Sequence, residues 1–139
     1  MIVIEQIETE QELDLAYSIR NQVFCIEQNV PYEIEMDEFD KDANHILALM
    51  DGNPVGTARW RRTEEGVKLE RFAVLKEYRK SGVGNALVKH LLSELCDSNN
   101  IYLNAQESVI KFYEKYGFQV AGPRFFEASI PHKKMVLKI

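Results

Sequence analysis

The run Arg79-Lys80-Ser81-Gly82-Val83-Gly84 is the stretch of this chain whose residue types and spacing point most directly to chemistry. It lies between an apolar segment, Leu69-Glu70-Arg71-Phe72-Ala73-Val74, and a leucine-rich segment with helical spacing. Glycines that open a helix leave its first backbone N–H groups uncovered, and these form a partial positive pole suited to an anion such as pyrophosphate. Gly82 and Gly84 carry no Cβ, so a phosphate can approach the backbone closely. Arg79 adds a fixed cation with several donors, and Lys80 a second. By itself G-x-G also serves as a turn device. The spacing matches neither the longer dinucleotide fingerprint nor the G-K-[ST] loop of nucleoside triphosphatases.

Other side chains are able to move protons or hold charge. Glu70 is a carboxylate on a core strand, and it reads either as a general base or as half of an ion pair with a neighbouring arginine. Strand alternation puts Glu70, Phe72 and Val74 on one face and Leu69, Arg71 and Ala73 on the other. His132, in Ile130-Pro131-His132, is a second base candidate or a structural histidine. Glu35, Asp37 and Asp40 form an acidic run that either draws in a cationic acceptor or solvates a loop. Tyr113 shares helical spacing with Val109 and Ile110, as a core aromatic would. Cys25 and Cys96 lack C-x-x-C spacing and read as packed, reduced thiols; no metal site is expected.

The elements that must position these residues follow from pattern. Ile2-Val3-Ile4 reads as a short strand. Thr9 with Glu12 predicts a capping box, heading a helix with Leu15, Ala16, Ile19 and Val23 on one face. Residues 29–44, with Pro31 and many acids, read as loop with one irregular helical turn. Asp51-Gly52 predicts a hairpin between strands at 45–50 and 54–62, and Glu64-Glu65-Gly66 turns the chain into a strand at 67–74. A helix is expected over 82–96, with Val83, Leu87, Leu91 and Leu95 along one side, then a strand at 101–105. A helix over 108–116 stops at Gly117, and strands at 118–121 and 134–139 close the chain. This order predicts a mixed α/β sheet with helices on its faces.

Composition bounds the rest. With 139 residues and 45% hydrophobic content, the chain is expected to fold as one domain over 1–139. A net charge of −5 argues against nucleic acid, which needs a basic face, and would not repel a cationic amine. There is no basic stretch followed by an apolar run at the start, and no segment nears the ~20 apolar residues of a membrane span. A cytoplasmic protein with no membrane partner is expected.

The strand L-E-R-F-A-V, then R-K-S-G-V-G, then a leucine-rich helix resembles motif A of the GNAT (GCN5-related N-acetyltransferase) superfamily, whose [QR]-x-x-G-x-[GA] pattern is met by Arg79, Gly82 and Gly84. Val109 to Phe118 resembles the family's F-Y-x-K-x-G-F helix. The segment Arg20 to Val30, the E-x-D-x-x-D run from Glu35 to Asp40, and Ile130-Pro131-His132 are similar to the YjcF/ElaA-like branch, so the resemblance spans nearly the whole chain.

The resemblance implies the GNAT fold: a twisted, mostly antiparallel sheet of six to seven strands, helices on both faces, and a splay between two parallel strands, here 67–74 and 101–105. It implies acetyl-CoA as donor and CoA as product, with direct attack of a small-molecule amine (amino acid, aminosugar or polyamine) on the thioester. An acceptor amine on a protein, and an acyl-CoA sensor without transferase activity, are the alternatives. A homodimer is compatible with it. Backbone groups of Phe72, Ala73 and Val74 would pair with the pantetheine arm, the Val74 N–H would face the oxyanion, and Arg79, Lys80, Ser81, Gly82, Val83 and Gly84 would hold the diphosphate. Tyr113 becomes the general acid to the departing thiolate, and Lys115 reaches cofactor phosphates or solvent. Glu70, His132 or an ordered water is the base. Glu27, Gln28, Glu35, Asp37 and His132 shape the acceptor pocket. Gln106 stands where many members carry an asparagine bonded to the cofactor.

Overall fold

In the computed structural model, which describes residues 1–138, Thr9 and Glu12 form the capping box their spacing predicts. Thr9 Oγ1 accepts from the Glu12 N–H at 3.1 Å, and Glu12 Oε1 accepts from the Thr9 N–H at 3.0 Å. With these donors satisfied, helix α1 runs Glu10–Arg20. Its buried stripe is Ala16, Ile19 and Arg20, and Val23 continues it. Leu15, expected on that face, is 42% exposed. It lies about 100° round the helix from Ala16, and Arg20 completes the stripe instead. The chain then widens into a π-helical segment, Asn21–Glu27, a form that recurs at functional sites. Helix α2 is the single irregular turn, Tyr32–Glu35.

Strands β1 (Ile2–Gln6), β2 (Asn44–Met50) and β3 (Asn53–Thr63) follow the expected pattern, and Asp51-Gly52 turns β2 into β3 with φ of 51° and 85°. Strand β4 is Gly66–Val74. Helix α3 (Val83–Glu94) buries Val83, Leu87 and Leu91, with Leu95 buried just past its end. Each such side chain contributes about 1.5–3 kcal/mol. Strand β5 is Ile101–Gln106, and a 3-10 turn (Glu107–Val109) leads into the short helix α4 (Ile110–Glu114). Strands β6 (Phe118–Val120), β7 (Phe125–Glu127) and β8 (Ile130–Leu137) complete the chain.

The eight strands form one mixed, mostly antiparallel sheet in the order β1-β2-β3-β4-β5-β8-β6, with β7 paired to β8. Strands β4 and β5 are parallel, Val67 to Leu69 lying against Ile101 to Leu103. The sequence pattern gives seven strands and starts the last at Lys134, whereas β7 is an additional strand and β8 begins at Ile130. The cause is local. Ala128 and Ser129 make the turn between them with φ of 50° and 64°, and neither residue type signals a left-handed turn.

Two compact units are distinguished within the chain, Met1–Trp60 with Arg71–Cys96, and Arg61–Glu70 with Asp97–Ile139. In the first, Ile19, Val23, Leu47 and Ala73 form a buried cluster. In the second, β8 pairs with β5, β6 and β7. Among the described residues, no helix is long and apolar enough to cross a membrane.

Gly66 begins β4 with φ of 142°, and a Cβ there would stand 2.1 Å from the Asn100 carbonyl oxygen. That oxygen accepts from the Val67 N–H at 3.0 Å, so it cannot retreat without loosening the start of the parallel pair. Gly66→Ala is expected to destabilise the protein by roughly 2–4 kcal/mol in urea unfolding. Gly122→Ala, where a Cβ meets nothing within 4 Å, should leave the midpoint nearly unchanged. Equal midpoints for the two variants would refute the steric account.

Candidate functional site

In the first unit, β4 ends at Val74 and a 3-10 turn (Lys76–Tyr78) delivers the chain to Arg79. The Arg79 guanidinium is committed on two sides. Its Nε donates to the Val74 carbonyl at 3.0 Å, and its two terminal nitrogens donate to the Glu27 carboxylate at 2.9 and 2.6 Å. Two residues expected to serve different ligands, Arg79 the cofactor and Glu27 the acceptor, are thus brought together. Lys80 is left-handed at φ 68°, and Gly82 takes φ 90° as N-cap of α3. Gly82 has no side chain to cap the helix, and the first N–H reaching back to it is that of Ala86, at 2.9 Å. The leading N–H groups of a twelve-residue helix therefore have no cap from this residue, next to the exposed Lys80 and Ser81. Val83 is buried as the first core anchor of α3 and offers only its backbone there; Gly84 is half-buried behind it.

The same unit gathers a cluster of opposite charges, buried except for Asp37 and Arg71, which are half-buried. Arg20 donates to both oxygens of Asp40, at 2.7 and 3.2 Å, and to the Glu35 carbonyl at 2.8 Å. Arg59 donates to both oxygens of Asp37, at 2.7 and 3.0 Å, and to Asp40 at 2.7 Å. Arg71 Nε lies 2.9 Å from Glu35 Oε1, close enough for charge pairing without hydrogen-bond alignment, and its Nη2 donates to Asp37 at 3.1 Å. His45 is buried beside them, its Nε2 donating to the Asp40 carbonyl at 2.9 Å; burial lowers its pKa and keeps it neutral. Glu35 and Asp37, expected to hold a cationic acceptor, have their charge met by these arginines. The sequence carries a signal for two of the three. Arg20 falls on the apolar stripe of α1, and Arg59 sits between Ala58 and Trp60 in the middle of a strand.

Arg71 carries no such signal. It is left-handed, φ 59°, within β4. Alternation is interrupted there, so Glu70 and Phe72 are not related by the simple two-residue repeat that puts them on one face. Beyond it Ala73 is buried in the core cluster, while Phe72 and Val74 are half-buried. Gln28, half-buried, caps the π-helical segment that ends at Glu27.

In the second unit, Glu70 is buried and pairs with Arg61 Nε at 2.6 Å and Lys68 Nζ at 3.3 Å. Tyr113, on α4, is buried with its ring edge-on to Phe112 and Phe118, at 5.1 and 6.1 Å between centroids. Burial raises its pKa well above the ordinary phenol value, so the hydroxyl keeps its proton. His132 pairs with Gln106 across β5 and β8 and stacks on Phe125 at 5.8 Å. Its Nδ1 donates to the Ile130 carbonyl at 2.7 Å, so in the neutral ring Nε2 carries the lone pair. Lys115 is exposed, with Nζ 5.3 Å above the Phe112 ring.

Comparison with known proteins gives the family and agrees with the fold. The family model of the acetyltransferase (GNAT) domain matches residues 5–139. The chain is 40% identical over 130 residues to the uncharacterized N-acetyltransferase YjcF of Bacillus subtilis, covering 91% of this chain and 93% of that one. It is similar to the crystal structure of Escherichia coli ElaA, with a TM-score of 0.88 and 27% identity over 99% of this chain and all of the other. An acyl-CoA N-acyltransferase from Pseudomonas aeruginosa has the same TM-score, identity and coverage.

The charge cluster has a pH signature. Burial pushes the Glu35 carboxyl up from 4.5 to about 7, against the pull of Arg71 and Arg20. For Asp40, the hydrogen bond and charge of Arg20 overcome burial and hold it at about 2. Between about pH 4.5 and 7 the folded state holds the Glu35 proton more tightly than the unfolded chain, so this group's contribution to stability falls as pH rises. Asp40 acts oppositely and only below its ordinary 3.8. In melting curves at pH 5 and pH 8, Glu35→Gln should gain on the parent protein as pH rises. A difference in melting temperature that does not change with pH would contradict this assignment.

Proposed function

The chain belongs to the GNAT acetyltransferase family, and on that footing we propose that it transfers an acetyl group from acetyl-CoA to the primary amine of a small molecule, leaving CoA. The observation that carries the reading is the start of α3. Its leading N–H groups, Gly82 without a Cβ, and Lys80 together suit the diphosphate of the coenzyme. The name of the Pseudomonas relative, an acyl-CoA N-acyltransferase, supports the same donor. The setting we assign is the cytoplasm, which suits the two free cysteines, Cys25 and Cys96.

Bound there, the coenzyme supplies an acetyl group activated as a thioester. The remaining work falls to the chain. Backbone groups of Phe72 to Val74 hold the arm of the coenzyme, with the Val74 N–H given to the carbonyl oxygen where negative charge develops; such a donor is worth roughly 3 kcal/mol. Arg79, pinned between Val74 and Glu27, ties the end of β4 to the phosphate-binding turn. Tyr113 retains its proton and delivers it to the leaving sulfur. Glu70 shares its carboxylate with Arg61 and Lys68, whereas His132 keeps the Nε2 lone pair, so His132 is the better-suited proton acceptor for the amine. The net charge of −5 admits a cationic amine.

Melting with CoA, acetyl-CoA and ATP tests donor binding. A ligand at a hundredfold excess over its dissociation constant adds about 2.7 kcal/mol, and the shift should appear with CoA and acetyl-CoA but not ATP. Thiol release with a panel of amines and a peptide then identifies transfer and acceptor; binding without release would leave a sensor. In that assay Tyr113→Phe should lower turnover by on the order of 10²-fold with little change in CoA affinity. His132→Gln should cost more turnover than Glu70→Gln. The reverse ranking would move the base to Glu70.

A further inference from the structure

We infer that Glu35 and Asp37 are positioning residues, which hold Arg71 in its left-handed conformation and thereby set the course of β4 into Phe72-Ala73-Val74. Among the described residues other than glycine with positive φ, Arg71 is the one inside a strand; Asn29, Asp51, Lys80, Asn100, Ala128 and Ser129 lie in turns or loops. A long side chain adopts this conformation rarely, because its Cβ crowds the following carbonyl. Such a residue persists where its surroundings over-determine it.

The surroundings of Arg71 do so. Its guanidinium meets Glu35 twice, at Oε1 (2.9 Å) and at the backbone carbonyl (3.2 Å), and Asp37 Oδ2 at 3.1 Å. These acceptors are themselves immobilised. Glu35 is 3% exposed, its carbonyl also accepts from Arg20, and its Oε1 lies 3.7 Å from Arg20 Nε. Asp37 is gripped at both oxygens by Arg59, and its N–H donates to Asp40 at 3.1 Å. The anchors therefore do not follow Arg71; Arg71 is drawn to them, and its backbone accommodates the reach. The next three residues are those assigned to the arm of the coenzyme, and the middle one, Ala73, is locked in the core. A turn of the backbone at Arg71 is passed on to their N–H and carbonyl groups through one to three peptide planes. The consequence for binding rests on the acetyl-transfer reading, while the backbone claim stands without it.

Arg71→Gly and Arg71→Ala separate this role from any direct action of the side chain, since both remove the guanidinium and only glycine takes φ near 59° freely. On the full chain, with CoA as the probe in calorimetry, Arg71→Ala should weaken binding about tenfold, the equivalent of the left-handed penalty. Arg71→Gly should return to within a small factor of the parent, and the KM for acetyl-CoA should follow the same order more than kcat does. Backbone amide shifts of Phe72 to Val74, read by NMR without ligand, should be close to the parent in the glycine variant and displaced in the alanine variant. A folded glycine variant beside an unfolded alanine variant also supports the claim. Equal impairment of both, an alanine variant indistinguishable from the parent, or failure of the glycine variant to fold would overturn it. A parent protein that binds no CoA would strike the acetyl-transfer reading, and the amide shifts would still decide the role of Arg71.

Discussion

The pairing of buried and half-buried arginines with carboxylates is the constraint on which the first unit is organised. Arg20 ends α1, Glu35 ends α2, Asp37 and Asp40 lie in the loop after it, and Arg59 and Arg71 come from β3 and β4. Removing Arg20 or Arg59, each about 1% exposed, would leave uncompensated charge away from water, a far larger penalty than the intact cluster's net contribution. Such a cluster adds little to stability over an apolar core. Its value is directional: hydrogen bonds to guanidinium forks fix angles as well as distances, where a cluster of leucines would tolerate rotation. Segments far apart in the chain are thereby held in one register.

In the proposed reaction, that directional demand acts through β4. A strand obeying strict alternation would give its backbone groups to its neighbours on both sides. Strand β4 departs from this at Arg71, past the point where Val67 to Leu69 pair in parallel with β5. At its far end the Val74 carbonyl is taken by Arg79, and Leu75 N–H donates to Val55. Between these two fixed points lies a short length of backbone suited to holding an extended ligand as a strand would. The exposed Arg79–Glu27 pair contributes about 0–1 kcal/mol as an ion pair, so its importance lies in aligning the turn.

The second unit contributes residues whose properties come from burial. Tyr113 stays protonated because a phenolate would be poorly solvated among Phe112 and Phe118. His132 has its tautomer chosen by the Ile130 carbonyl. The His132 tautomer rests on a hydrogen bond rather than on a neighbouring charge, so it persists across a wide range of salt.

Local rules were sufficient for much of this protein. The capping box at Thr9, the Asp51-Gly52 hairpin, the α3 stripe and its glycine-opened start are short-range effects, each decided within a few residues, and so they were readable from the order of amino acids. The same is true of the family, because its motifs are contiguous. What only the folded chain decided involves partners distant in sequence or conformations that residue type does not announce. Glu35 and Asp37 looked like a solvated or substrate-seeking charge run until Arg20, Arg59 and Arg71 came to meet them across as many as 36 positions. The left-handed Arg71 and the Ala128-Ser129 turn contradict the preferences of their own side chains. Propensity is a weak, local energy, and a few buried ionic contacts or a full ladder of strand hydrogen bonds outweigh it; neither exists until the tertiary structure brings the partners together.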